Sequence, residues 1–375
     1  MSKLPSVGTT IFSVMSKMAA EHKAVNLSQG FPNFPVDQNL RDIYVRNVNL
    51  DVHQYAPMPG SPALLSAIQG LIQLQYGRSC SAENELLVTA GATQGIFTVI
   101  QALIQSSDEV IVLDPCYDCY DPAITLAGGK AIHIPLNDDY LPDWDKIAST
   151  VSSKTKMIIT NNPHNPSGRM WDENDFIALE HILEKYPNVI LLSDEVYEFI
   201  TFEKKHISAH SRSNLLERSI IVSSFGKTFH ITGWKMGYLA APLHLMKEIK
   251  KCHQFIVFSV NSVAQATLAE YIVQTDVNEL GAFYQQKRDL FRQLLGASKF
   301  NLLPSDGTYF QIADYSKISE EDDVTFTKRL VTEFGVAAIP VSVFSEQPTN
   351  LKHIRFCFAK TDETLINATE RLCKI

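Results

Sequence analysis

Seven short stretches of the chain carry near-continuous apolar runs rich in β-branched residues. They are "ELLVTAG" (85–91), "EVIVLDP" (109–115), "KAIHIPL" (130–136), "KMIITNNP" (156–163), "NVILLSDE" (188–195), "SIIVSSF" (219–225) and "MGYLAAP" (236–242). Near-continuous apolar runs of this length predict strands buried on both faces, because a half-exposed strand would alternate. Between several of them the period changes to that of a helix. "TQGIFTVIQALIQ" (93–105) repeats apolar residues at helical spacing, and "DENDFIALEHILEKY" (172–186) does so with acidic residues in its first turn. Alternation of strand and helix predicts an α/β fold with a mostly parallel sheet between helices. The link from 225 to 236 is too short for a helical crossover, so its two strands are expected to be antiparallel neighbours.

The ends read differently. A helix is expected at 10–22, followed by the extended, proline-rich "SQGFPNFPVD". After about residue 280 come a long helix (282–296), a strand (307–314), a helix (323–334), a strand (353–359) and a closing helix. This α+β pattern predicts a large domain at 46–279 and a small domain assembled from 1–45 and 280–375. No internal repeat or low-complexity tract interrupts either.

Composition narrows the class. The chain has 375 residues, 45% hydrophobic and 20% charged, as expected of a globular protein with a sizeable core. A net charge of −8, with both signs scattered and no basic run, argues against nucleic acid or a membrane surface as the partner. The N-terminal stretch lacks a signal-peptide pattern, and no apolar run approaches the roughly 20 residues of a membrane span. The expected location is cytoplasmic. Cys116 and Cys119 have CxxC spacing, but they follow a strand within a turn beside Pro115 and Pro122, and no second ligand pair follows. Two reduced thiols explain them better than a zinc or redox site, and no metal is expected.

"SSFGKTFHITGWKMGY" (223–238) carries the chemistry. Gly226-Lys227-Thr228 has the form of the end of a phosphate-binding loop, GxxxxGK[ST]. The first glycine of that loop would fall at Ile221, inside a strand, so a nucleotide-hydrolase reading fails. Lys227 instead stands just past a predicted strand end, where open α/β sheets collect their ligands. Other strand ends present "GATQG" (91–95), a helix start suited to an anion, Asn165 in "NNPHNPSG", and Asp194 with Tyr197 in "SDEVY". One lysine, one carboxylate, two donors and an anion-binding helix start match the needs of pyridoxal 5′-phosphate.

"NNPHNPSG", "SDEVY", "SSFGKTFHITGWKMGY" and "IRFCFAK", in this order, resemble the class I/II aminotransferases of the fold type I pyridoxal-phosphate family. With "LSQGFPNFP", "QYAPMPG", "YDCY" and "GTYF", the likeness is to the methionine, kynurenine and glutamine–phenylpyruvate aminotransferases. The resemblance implies a seven-stranded sheet in the large domain and ping-pong transfer of an amino group from a neutral amino acid to a 2-oxo acid. Methionine is the first expectation, and aromatic amino acids or kynurenine follow. It implies that Lys227 carries the Schiff base and shuttles the α-proton, that Asp194 pairs with the pyridine nitrogen, and that Asn165 and Tyr197 donate to the phenolic oxygen. Ala92, Thr93, Ser224 and Lys235 would hold the phosphate, with Lys235 where many members have arginine. Tyr117 would stack on the ring.

By the same resemblance Arg355 and Gly30 would bind the substrate carboxylate, with Asn165 beside them. Phe12, Phe31, Tyr55 and Phe258 are side-chain pocket candidates, Phe258 from or near a partner chain. Tyr55 would also reach the phosphate of a neighbouring subunit, which implies a homodimer with shared active sites. No second arginine for an acidic side chain is identified. The nearest alternative is a cystathionine or cysteine-conjugate β-lyase using the same site. A non-catalytic regulatory protein that kept the fold is the alternative from another class.

Overall fold

The computed structural model describes residues 2–5, 7–347 and 350–375. The seven apolar runs form one sheet. After β1 (Val25–Asn26), its strands are β2 (Leu86–Thr89), β3 (Glu109–Asp114), β4 (Lys130–Pro135), β5 (Thr155–Asn161), β6 (Ile190–Asp194), β7 (Ser219–Ser224) and β8 (Gly237–Ala240). Their spatial order is β2-β8-β7-β6-β5-β3-β4. Every pairing is parallel except those of β8, which runs antiparallel to both β2 and β7. The short 225–236 link therefore has the geometry its length required.

The lack of alternation in these strands has a visible cause. Ile220 and Val222 of β7 join one hydrophobic core, with Leu192 and Ile159 of its neighbours. Ile221 points to the opposite face and joins a second core with Leu191 and Ile158. Both faces are covered by helices, so polar residues are excluded from either parity. Burying each such side chain contributes about 1.5–3 kcal/mol.

The helices begin where the sequence provides caps. Asp172 accepts from the backbone of Asn174 and Asp175 and forms a reciprocal capping box ahead of helix Glu173–Lys185. Helix Ala92–Leu103 is an exception. It starts at Gly91, φ +79°, with no side-chain cap. Its first N–H groups are left for something else.

The C-terminal part of the chain builds a second, smaller sheet from β9 (Asn301–Leu302), β10 (Phe310–Asp314), β12 (Ile339–Pro340) and β13 (His353–Cys357), in the order β12-β13-β10-β9. β11 (Val336–Ala337) pairs in parallel with β1, which ties the N-terminal segment to this unit. Helix Gln38–Val48 lies elsewhere. Its buried Leu40 and Ile43 share a core with Leu64 and Leu268, on the large-sheet side.

Gly237 sits where β8 meets the uncapped helix. A Cβ there would come 2.7 Å from the Ser223 carbonyl oxygen and 3.1 Å from the Ala92 nitrogen, both backbone atoms that cannot yield cheaply. Gly237→Ala is expected to destabilise the fold by about 1–3 kcal/mol. Urea unfolding would show this as a lower midpoint at unchanged slope, and an unaltered midpoint would contradict the packing described.

Candidate active site

The C-terminal ends of β2, β3, β5, β6 and β7 lie on one edge of the large sheet, as their parallel sense requires. The polar residues following these strands are therefore gathered by topology alone. They line a cavity of about 290 Å³ closed on its other side by Phe12, Gln29, Gly30, Phe310 and Arg355. Twelve of the residues expected from sequence face it: Phe12, Gly30, Ala92, Thr93, Tyr117, Asn165, Asp194, Tyr197, Ser224, Lys227, Lys235 and Arg355.

Asp194 ends β6 and is buried. Its Oδ2 accepts from the Tyr120 hydroxyl at 2.6 Å, and Oδ1 accepts from Val196 N at 3.4 Å. Burial pushes its pKa up to about 6 despite the Tyr120 bond and the nearby Lys227 charge. Among the described residues it has no ion-pair partner. A buried carboxylate of this kind is suited to receive a cationic N–H.

Lys227 occupies the last part of the helical turn Phe225–Thr228 after β7. Its Nζ donates to Gly30 O at 3.3 Å and lies 5.6 Å from the Tyr197 ring centre. Burial brings its pKa down to about 8. The charges of Arg355 and Lys235 push in the same direction, and Cys357 and Asp194 oppose them. Lys235 has φ +55° and reaches over Gly91, where a Cβ would sit 3.5 Å from its Nζ. A point charge thus stands beside the open start of helix Ala92–Leu103, the combination that holds a phosphate.

Arg355, on β13, is 1% exposed. It donates to Asn165 Oδ1 at 2.7 Å and to Ser28 O at 3.1 Å, and its guanidinium lies 3.9 Å from the Phe310 ring centre. Its Nε has no partner. Guanidinium only donates, so the Asn165 amide is oriented with oxygen toward Arg355 and its NH₂ left free. Burial holds the Tyr197 phenol well above its ordinary range, which keeps it a donor.

Three expected residues do not line this cavity. Phe31 is 44% exposed, and the Lys360 ammonium lies 5.0 Å from its ring centre. Tyr55 is 82% exposed and packs edge-on against Phe258 at 5.4 Å. Neither lines its own chain's cavity. Residues not anticipated include Tyr120, Gln29, Asn161 and Phe310. Asn161 binds the Asp194 carbonyl at 2.9 Å and the Asn165 N–H at 2.7 Å, and so positions both. Asn161 was the one legible in advance, since it stands at the end of a strand beside the asparagine that was chosen.

Cys116 and Cys119 are both free. Asp114, Cys116 and His133 come within 4.8 Å of one another. Asp114 is engaged on both oxygens, one 2.9 Å from His133 Nδ1 and the other accepting from Glu346 N at 2.8 Å. Among the described residues no helix is long and apolar enough to cross a membrane.

The family model for aminotransferase class I and II matches residues 22–372. The chain belongs to this family. It is 45% identical to the methionine aminotransferase of Escherichia coli, over 99% of this chain and 97% of that one. It is 33% identical to human kynurenine–oxoglutarate transaminase 3, over 99% of this chain and 89% of that one. An E. coli crystal structure described as a methionine aminotransferase superposes with TM-score 0.98 at 44% identity, covering 100% of this chain and 99% of the other. The protein is an aminotransferase, with the mostly parallel sheet of the family, and these relatives support transamination rather than the β-lyase alternative.

The linkage sign at Lys227 follows from its depressed pKa. Between about pH 8 and 10.5 the unfolded chain holds a proton that the folded aminotransferase has released, so this group's contribution to stability rises with pH. Lys227→Met is expected to be stabilised relative to the parent below pH 8, with the advantage shrinking as pH approaches 10. Urea unfolding of cofactor-free protein from pH 7 to 10 measures it, and a pH-independent difference would remove the buried-amine account.

Proposed function

We propose that this aminotransferase moves the amino group of a neutral amino acid, methionine first, to a 2-oxo acid with pyridoxal 5′-phosphate as cofactor. The observation that carries the reading is the cleft's cation set. Among its described lining residues Arg355 is the sole guanidinium, buried with an unpartnered Nε, and the wall around it is aromatic. One carboxylate is matched there, and a second on the side chain is not. The identity to a methionine aminotransferase supports the same substrate class.

The residues fit the cofactor. The uncapped N–H groups at Ala92 and Thr93, the Ser224 hydroxyl and Lys235 would hold its phosphate, and Tyr117 would cover its ring. Asp194 would accept the pyridine N–H, and the free Asn165 amide and the Tyr197 hydroxyl would donate to its phenolic oxygen. When bound, the group supplies an aldehyde for an amine and a protonated ring that takes up electrons from the substrate α-carbon. The chain does the rest. Arg355 and the Gly30 backbone orient the α-carboxylate. Lys227 Nζ, held near neutrality by burial and two cationic neighbours, takes the proton from the α-carbon. Aromatic walls exclude water and accept an uncharged side chain.

Tyr55 and Phe258, exposed as a pair and turned from their own cleft, support a homodimer in which they complete the partner's site. The small domain would comprise the two chain ends, as expected from sequence. Its N-terminal boundary is better placed before Gln38, because helix Gln38–Val48 packs with the large domain. Free cysteines and the absence of a membrane-length helix among the described residues support a cytoplasmic enzyme.

A single-turnover panel of amino acid donors, read by cofactor absorbance, tests the substrate class. Methionine and aromatic donors should react faster than aspartate. Faster reaction with aspartate would overturn the neutral-substrate reading. Arg355→Ala is expected to raise KM for the amino donor and the 2-oxo acid alike, by about a hundredfold, since it removes charge-assisted bonds common to both. A loss confined to one side-chain class would mean that Arg355 does not bind the carboxylate.

A further inference from the structure

Each backbone carbonyl from Ser28 to Phe31 is bound by a side chain from elsewhere. Arg355 takes Ser28 O at 3.1 Å, and Tyr309 and Lys227 take Gly30 O at 2.7 and 3.3 Å. The remaining two belong to one residue. Lys360 Nζ donates to Phe31 O at 2.6 Å and to Gln29 O at 3.3 Å.

Lys360 is only 3% exposed. Burying an ammonium is costly unless it is paired, and among the described residues Lys360 has no ion-pair partner. Its partners are those two carbonyls and the face of the Phe31 ring. An apolar side chain would fill the same space more cheaply, so the charge is there for what it holds. It stands just past the end of β13, the strand that carries Arg355. One segment of chain therefore sends out two cations that grip the same four-residue strap. The strap has little room to shift. A Cβ on Gly30 would come 2.9 Å from Phe310 Cζ, and Phe310 is the ring on which Arg355 lies.

We propose that Lys360 is a positioning residue for substrate: by clamping the carbonyls on either side of Gly30, it fixes the strap at the distance from Arg355 that a carboxylate requires. It does not touch substrate. The proposal rests on the reading of Arg355 as the carboxylate site.

The test uses holoenzyme variants, with kinetics and direct binding of 3-phenylpropanoate, a carboxylate that has no amino group to transfer. Lys360→Met is expected to raise KM for amino donor and 2-oxo acid about tenfold, and the 3-phenylpropanoate Kd by a similar factor, with kcat within threefold. Lys360→Arg, which keeps the charge and both donors, should return KM and Kd to within about twofold of the parent. An unchanged Kd in Lys360→Met, a fall in kcat at constant KM, or no rescue by arginine would each overturn the proposal. If Lys360→Met does not fold, Lys360→Gln serves in its place. Its amide keeps one carbonyl bond, an intermediate Kd is expected, and a parental Kd overturns the idea. Arg355→Ala separates the two layers. If it too binds 3-phenylpropanoate normally, the carboxylate reading fails. If it loses binding while Lys360→Met does not, only the role of Lys360 falls.

Discussion

The buried guanidinium of Arg355 is the interaction on which the rest of the site depends. Arginine cannot shed its charge by losing a proton at any ordinary pH. Taking it out of water therefore costs several kcal/mol that neutral partners only partly offset. Here the partners are an amide oxygen, a peptide carbonyl and an aromatic face. None carries negative charge. Those three contacts join β13 of the small sheet, the loop after β5 of the large sheet and the N-terminal strap. A single residue thus fixes three segments far apart in sequence while its Nε stays without a partner. The fold bears the cost of the buried charge, and on the proposed reading a substrate carboxylate would recover part of it.

Electrostatics inside the cleft run opposite to the whole chain. Net charge is −8, yet Lys227, Lys235 and Arg355 converge on one cavity with Asp194 as their counterweight. The charges of Arg355 and Lys235 make the Lys227 proton less welcome, and together with burial they leave an amine poised near pH 8. On the proposed reading the cations that would hold the anions also prepare the base, which favours placing all three cations in one cavity.

Much of this was legible because the chain's periodicity reflects burial directly. Runs such as "SIIVSSF" have no polar parity because Ile221 and Val222 enter different cores. Once the strands are parallel, their polar ends must meet on one edge, and nine of the expected residues did, with Phe12, Gly30 and Arg355 closing the cavity from the other side. What escaped the reading depends on distance along the chain. Tyr120 bonds Asp194 across 74 residues, and nothing near either position marks the pairing. Lys360 looks like an ordinary charge after a strand until its bond to Phe31 is seen. Phe31 was expected in the pocket by the family resemblance, as one of its aromatic candidates. The clamp on its carbonyl instead leaves its ring outside the cavity. Tyr55 and Phe258 pack on each other at the surface and do not line their own chain's cavity.

Lysine at 235, where arginine is the commoner expectation, has a geometric rationale. The residue has left-handed backbone, and its side chain passes over Gly91, where a Cβ would stand 3.4 Å from its Cε, at contact distance. At the far side lie the unpaired N–H groups of a helix start that carries no side-chain cap. Those groups have fixed directions suited to an anion and would supply the angular definition that a guanidinium fork otherwise contributes. What they lack is a full positive charge. A compact ammonium on a slim stem supplies it in a space bounded by backbone, whereas a planar guanidinium needs clearance on two sides. Charge and direction are thus divided between Lys235 and the helix, and the absence of a capping side chain at Gly91 is what permits the division.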